Sequence, residues 1–287
     1  MSDNIKNQSE DIEKERNYKL EKENQYLLAK VNILTNNKNK GEQDEVLLLI
    51  ELYYFNVIKQ YDKLKVIFGE EASEGISILN MTTEDEILDI NELSKANPEF
   101  KSDCKIKMKK TQTIYSISIK TKNGAPPTIL NHTPRSAKIF QKGGILCDSL
   151  IWLDKIMIEY IDKRERKIVV EDTPITDLEC LKEDPLLKDE FIAVLRYFVF
   201  YGSGKGKSKC EANSIMTYQD EKITFIKCVN DKDKNTYIKS IYDTLVLSLR
   251  DKNMPRIIPE YCNPWIFNDV KPSGLTKCKG SLHIRIK

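Results

Sequence analysis

Two neighbouring stretches near the middle of the chain alternate strictly between polar and apolar residues. Cys104, Ile106 and Met108 alternate with Asp103, Lys105 and Lys107. Tyr115, Ile117 and Ile119 alternate with Ser116, Ser118 and Lys120. A period of two marks a half-buried strand, and the short polar stretch between the two predicts a hairpin. Successive side chains of a strand point to opposite faces, so Ser118 and Lys120 project together on the polar side. Asp103 has the polar parity of its own strand. Pairing of the two strands would therefore bring an acid and an ammonium over one surface.

Elsewhere the helical period alternates with short strand-like runs. Helix formers extend from about Glu10 to Asn36, where Leu20, Leu27, Leu28, Val31 and Leu34 make a partial apolar stripe. Its heptad is not sustained, so the expectation is a helix laid on the main body, or a dimer contact, rather than a coiled coil. NNKNKG (36–41) has the composition of a linker or turn. From Glu42, the residues Val46, Leu49, Ile50, Tyr53 and Val57 recur at helical spacing. Residues 63–80 predict strand, turn and strand, and 82–93 a threonine-capped helix. Helices are expected at 149–163 and 235–250, the second with Tyr237, Ile241, Leu245 and Leu249 on one face. A buried helix passing into a strand is expected at 188–201, and strands at 222–229 and 281–287. No internal repeat is present. This interleaving predicts an α/β or α+β protein with a central mixed β-sheet flanked by helices.

Composition narrows the choice of partners. The 287 residues carry 46 Lys and Arg against 44 Asp and Glu, a net charge of +2. A globally basic nucleic-acid binder is not indicated, and any such role has to come from local patches. Hydrophobic residues make up 40%, enough for a substantial core. The seven cysteines include no CxxC pair, so neither a zinc site nor a disulfide framework is expected. Reduced thiols and a polar N-terminus without a signal-like apolar core predict a cytoplasmic protein. No apolar run approaches the ~20 residues that span a bilayer, so no membrane partner is expected.

The acid and the lysine of the central hairpin suggest a chemistry. Hydrolysis of a phosphodiester needs an activated water and neutralised phosphate charge, which carboxylate-held Mg²⁺ can supply. A lysine can orient the water or stabilise the charge that develops. Asp103 would anchor the metal and Lys120 would be the lysine. Ser118 stands two residues before Lys120, where a second carboxylate would be expected, so a further acid is needed. Glu45 or Glu42, three apart in the first turn of the helix beginning near residue 42, can supply it. The plainer reading of Glu42, Asp44 and Glu45 is favourable pairing with the helix dipole, and that of a strand lysine is simple solvation.

YGSGKGKSKC (201–210) invites comparison with a phosphate-binding P-loop. The motif requires glycine, four residues, then Gly-Lys-Ser/Thr and a following helix. Here Gly202 falls one residue late and no helical period follows Ser208. The expectation is a basic loop whose Lys205, Lys207 and Lys209 touch nucleic-acid phosphates, or a plain surface hairpin. A nucleoside triphosphatase is the lesser alternative, and no nucleotide cofactor is expected.

NKGEQDEVLLLIELY (39–53) together with YSISIKTKNGAPPTILN (115–131) resembles the type II restriction endonucleases of the HpaII-like group, within the PD-(D/E)XK nuclease superfamily. The likeness rests on Gly41, Glu42 and Glu45; on Asp103; on Ser118-Ile119-Lys120-Thr121; and on Gly124, Leu130 and Asn131. Ser281–Ile286 is similar to a closing basic strand of that group. The chain departs from the pattern in Thr121, in Ala-Pro-Pro after Gly124 and in His-Thr-Pro-Arg after Asn131. The resemblance implies a PD-(D/E)XK nuclease-like core and a Mg²⁺-dependent endonuclease that cuts double-stranded DNA at a specific site, as a homodimer. Asp103, Lys120, Ser118 and Glu45 would be catalytic, with Asp103, Glu45 and Glu42 around the metal. Lys122, Asn123, Asn131, His132 and Arg135 would meet the DNA, arginine to guanine being the commonest specific contact. His132 can equally be structural, and His283 is read as structural. On this reading residues 1–40 form a charged helical extension and 41–287 the nuclease domain, with its catalytic core over 41–200 and DNA-contacting segments over 201–287. A DNA-binding protein that keeps the fold without the activity is the main alternative, since Ser118 replaces a carboxylate.

Overall fold

Two helices lie side by side at the start of the chain in the computed structural model: α1 (Ser2–Thr35) and α2 (Lys40–Val57). They are followed by α3 (Tyr61–Phe68), β1 (Ile76–Leu79), β2 (Cys104–Met108), β3 (Ile114–Thr121) and β4 (Thr128–Asn131). Next come α4 (Leu150–Glu165), β5 (Thr173–Pro174), α5 (Glu179–Glu183) and α6 (Pro185–Arg196). After these are β6 (Gly202–Ser203), β7 (Gly206–Lys207), β8 (Ser214–Gln219) and β9 (Lys222–Lys227). The chain closes with α7 (Asp231–Tyr242), β10 (Leu245–Arg250), β11 (Ile266–Lys271) and β12 (Gly274–Ile286). The structure describes all residues except 1, 36–38, 95–96, 98, 122–125, 132–138, 140–142, 169–171, 204–205, 221, 251–265 and 272–273.

The fold is α+β, with sheets flanked by helices. Instead of one central sheet, the described residues form two five-stranded sheets, one with the order β1-β2-β3-β8-β9 and one with β11-β12-β10-β5 and β4 beside β12. Each belongs to its own compact unit. The first unit comprises 1–96, 103–124 and 216–226; the second comprises 97–102, 125–215 and 227–287. The units interleave along the chain.

In the first unit, Asn39 starts α2 by accepting a hydrogen bond from the Gly41 amide. Val46, Leu48, Leu49, Ile50, Leu52 and Phe55 are buried, so the helix presents two adjoining apolar stripes to the core. They pack with Ile76, Ile78, Ile106, Met108, Tyr115 and Ile117 of the sheet. Within β2 buried residues alternate with half-buried ones, as its period of two requires. Helix α1 packs on α2 through Tyr26, stacked on Tyr54 at 4.2 Å, and through the buried Ala29. The leucine stripe, expected to lie on the body or to make a dimer contact, is not laid on the body: Leu20, Leu27, Leu28, Val31 and Leu34 are exposed.

Three expected elements differ. The first expected strand of 63–80 is helix α3, because Leu64 and Phe68, four apart, are buried together while Val66 is 88% exposed. Gly69, at φ 80°, ends that helix. No helix spans 82–93. The Asn80 side chain accepts from the Thr82 and Thr83 amides, Glu84 sits at φ 63°, and Ile87 donates back to the carbonyl of Ile78. Such side-chain bonds offer the backbone an alternative to the helix. A single 3₁₀ turn follows at Ile90–Glu92, capped by Asp89. Finally, the helix expected over 235–250 stops at Tyr242, and Leu245–Arg250 becomes strand β10 between β12 and β5. Leu245, Val246 and Leu247 are all buried, and a strand covered on both faces has no polar alternation to announce it.

In the second unit, Asp184 caps α6 by accepting from the Leu186 and Leu187 amides, with Pro185 in the first turn. A π turn at Tyr197–Tyr201 stands between α6 and the short strand β6.

Candidate active site

The hairpin of β2 and β3 has the antiparallel register Cys104↔Ile117, Lys105↔Ser116 and Ile106↔Tyr115. Asp103 immediately precedes β2, and its amide donates to the Ile117 carbonyl at 2.7 Å. Its carboxylate therefore lies beside Ser118 and Ile119. Oδ2 accepts from the Ile119 amide at 2.6 Å and from the Ser118 hydroxyl at 3.3 Å. Lys120 Nζ donates to Ser118 Oγ at 2.7 Å and to the Ile119 carbonyl at 3.2 Å. The hairpin thus joins the three expected residues in a single chain of hydrogen bonds. Ser118 is buried at 1% exposure, whereas Asp103 and Lys120 are half-buried. Both hydrogen bonds to the Asp103 carboxylate fall on Oδ2, which leaves Oδ1 facing no hydrogen-bond donor among the described residues.

The start of α2 lies against the same end of β3. A Cβ built on Gly41 would come 3.6 Å from Thr121 Oγ1, so the first turn of α2 adjoins the strand one residue beyond Lys120. Glu42 and Glu45 are half-buried there, and Asp44 is the buried acid at 7% exposure. Among the described residues no three His, Cys, Asp or Glu side chains come together as a metal-holding group. Glu42 and Glu45 are therefore not gathered with Asp103 into a three-acid cluster. In the sequence Asp44 reads as a first-turn acid, and its burial is not anticipated there. Asp44 stands four, eight and eleven residues before Leu48, Leu52 and Phe55, so the second apolar stripe of α2 carried the signal.

Lys122, Asn123, His132, Arg135 and Lys205 lie outside the described residues. Asn131 ends β4 opposite His283 in the second unit, where His283 is buried. Lys207 and Lys209 are exposed in that unit, and Lys207 lies 3.7 Å from Glu211.

The glycine-rich segment is a two-stranded ladder, Gly202↔Lys207 and Ser203↔Gly206. Gly202 is needed for close approach: a Cβ there would clash with the Gly206 carbonyl oxygen. The Ser208 hydroxyl accepts from the Lys101 and Cys210 amides, and the next element is strand β8. A P-loop needs a helix and a free hydroxyl at this point, so the ladder geometry argues against the triphosphatase alternative.

Cys104, Cys147, Cys180, Cys210 and Cys228 are free thiols. Among the described residues no helix is long and apolar enough to cross a membrane. Comparison with family models, with curated proteins and with solved structures finds no match.

Proposed function

We propose that this protein is a Mg²⁺-dependent endonuclease that hydrolyses phosphodiester bonds of double-stranded DNA, a type II restriction enzyme with a PD-(D/E)XK-like core working as a homodimer. The observation that carries the reading is the convergence of the Lys120 ammonium and the Asp103 carboxylate on Ser118 Oγ at the end of one hairpin. The donor set suits a hard cation: Asp103 Oδ1 is an oxygen ligand, and Mg²⁺ commonly binds through one or two carboxylates while keeping several waters. Mg²⁺ held there would neutralise phosphate charge and make a bound water more acidic. The Ile119 amide fixes the Asp103 carboxylate. Ser118 holds the Lys120 ammonium beside the Asp103 carboxylate, where it would orient a water and stabilise negative charge developing on a bound phosphate. Lys207 and Lys209 supply phosphate contacts that carry no sequence information.

One observation favours a second reading. Ser118 stands where the resemblance implies a carboxylate, which suits a protein that binds DNA without cutting it. Unmethylated phage DNA incubated with the purified protein, in Mg²⁺ and in EDTA, separates the two. Discrete fragments that require Mg²⁺, and that Asp103→Ala and Lys120→Ala abolish while a gel shift persists, support the nuclease. A gel shift without cleavage on modified and unmodified DNA supports the binding protein.

A further inference from the structure

Helix α1 is apolar on two sides, and among the described residues only one of them is covered. Tyr26, Ala29 and Ile33 face α2 and the core. At about 100° per residue, Leu20, Leu27, Val31 and Leu34 lie roughly 140° around the helix from that stripe. All four are about half exposed, from 49% at Leu20 to 58% at Leu34.

The heptad is not sustained along α1 as in a long coiled coil, but over Asn17–Leu34 alone the polar residues between them set out a short register. With Leu20, Leu27 and Leu34 at the d positions of a heptad, the a positions are Asn17, Asn24 and Val31. Leucine at d with Val31 at a suits two parallel strands, and an asparagine at a specifies register at a cost in stability, because facing asparagines hydrogen-bond to each other in that alignment. The flanks agree. Arg16 falls at g and Glu21 at the following e, five residues on, which is the spacing at which g of one helix meets e of its parallel partner. Both are exposed, and two-fold symmetry makes the pair twice. Upstream, Glu10 and Glu13 fall at a and d, so the seam begins at Asn17; it ends at Leu34, about two and a half heptads later.

We propose that the outer face of α1 is the docking surface for a second copy of this chain, through a short parallel two-helix seam spanning Asn17–Leu34. The occupant is read from the face itself: two asparagines at a specify a like partner, and Arg16 and Glu21 complement their own symmetry mates. This pairing is independent of the nuclease reading, because it uses no residue of the Asp103 site. Two polar a positions in so short a seam weaken it, so the dimer is concentration-dependent.

Sedimentation equilibrium on the full chain tests it. The expected result is a mass that rises toward twice that of the chain as concentration increases. Leu20→Glu/Leu27→Glu should hold the protein at the single-chain mass with an unchanged circular dichroism spectrum, since both leucines are exposed in the single chain. Arg16→Glu and Glu21→Arg should each weaken the dimer about fivefold, and the double exchange should restore it. Asn24→Cys should give a disulfide-linked dimer on mild oxidation, beyond the wild-type background, which an antiparallel pair would not. A single-chain mass at every concentration overturns the proposal, as does a dimer that survives Leu20→Glu/Leu27→Glu. A single chain that instead sediments with anionic phospholipid vesicles would assign the face to a membrane surface, and equally overturns it.

Discussion

The Lys120 ammonium lies 2.7 Å from the Ser118 hydroxyl, which in turn donates to Asp103 at 3.3 Å. Lysine and aspartate are thus linked through a small buried residue rather than by direct contact. That relay separates what each side chain does. Asp103 is tied to the backbone of β3, and Lys120 is held over the same edge with its charge partly exposed.

Removing the relay should release the lysine before it unfolds the protein. Ser118→Ala deletes a buried hydroxyl with two partners, for an expected cost of about 1 kcal/mol in urea denaturation. Mg²⁺-dependent cleavage should fall much further than stability does. Cleavage at the wild-type rate in Ser118→Ala would show that the lysine needs no such support.

Cation binding can be read without activity. Mg²⁺ that binds the folded chain raises its melting temperature by mass action. The rise should vanish in Asp103→Asn, whose amide oxygen can still accept from the Ile119 amide but carries no charge. An equal rise in both proteins would place the cation elsewhere.

Gly75 should be far less tolerant of a side chain than Gly69. Both have positive φ, 92° and 80°, but a Cβ on Gly75 would lie 2.5 Å from Asn56 Oδ1 and 2.9 Å from the Tyr61 ring. That Asn56 oxygen accepts the amide of Ile76, the first residue of β1. Around Gly69 there is open space. Gly69→Ala should cost about 1 kcal/mol from backbone strain, and Gly75→Ala about 2–3 kcal/mol, as urea midpoints would report. Equal costs would rule out the close approach as the cause.

Alkali should unfold the protein from a lower pH than lysine titration would dictate. Burial pushes the Cys228 thiol from 9.0 up to about 12, with the Asp233 charge adding to it. Burial also raises Cys180 to about 12, helped by its hydrogen bond to Glu159. In this window the unfolded thiols lose protons that the folded ones keep, so stability is complete below the ordinary thiol range and falls as pH rises from 9.0 toward 12. Tyr160, Tyr197 and Tyr201, raised by burial from 10.0 to about 12, steepen the upper part of the fall. Denaturant midpoints measured from neutral pH upward check this; a midpoint constant through pH 11 would contradict it.

The central hairpin, the helix at residue 42 and the juxtaposition of Asp103, Ser118 and Lys120 were determined by sequence alone. Their cause is local: a period of two fixes which side chains share a face, and a short turn leaves one register open. The leucines of α1 were equally visible, but their destination was not, because an apolar stripe does not say which surface will cover it. Tertiary structure alone decided that Tyr26, Ala29 and Ile33 take the inner face of α1. It decided that 63–68 coils as α3 while 245–250 extends as β10, since short apolar runs suit either form until a neighbour covers them. It also decided that Asp44 rather than Glu45 is the buried acid of α2. The rotation of a helix against its sheet is fixed by packing between residues far apart in the chain, and no local pattern carries that information.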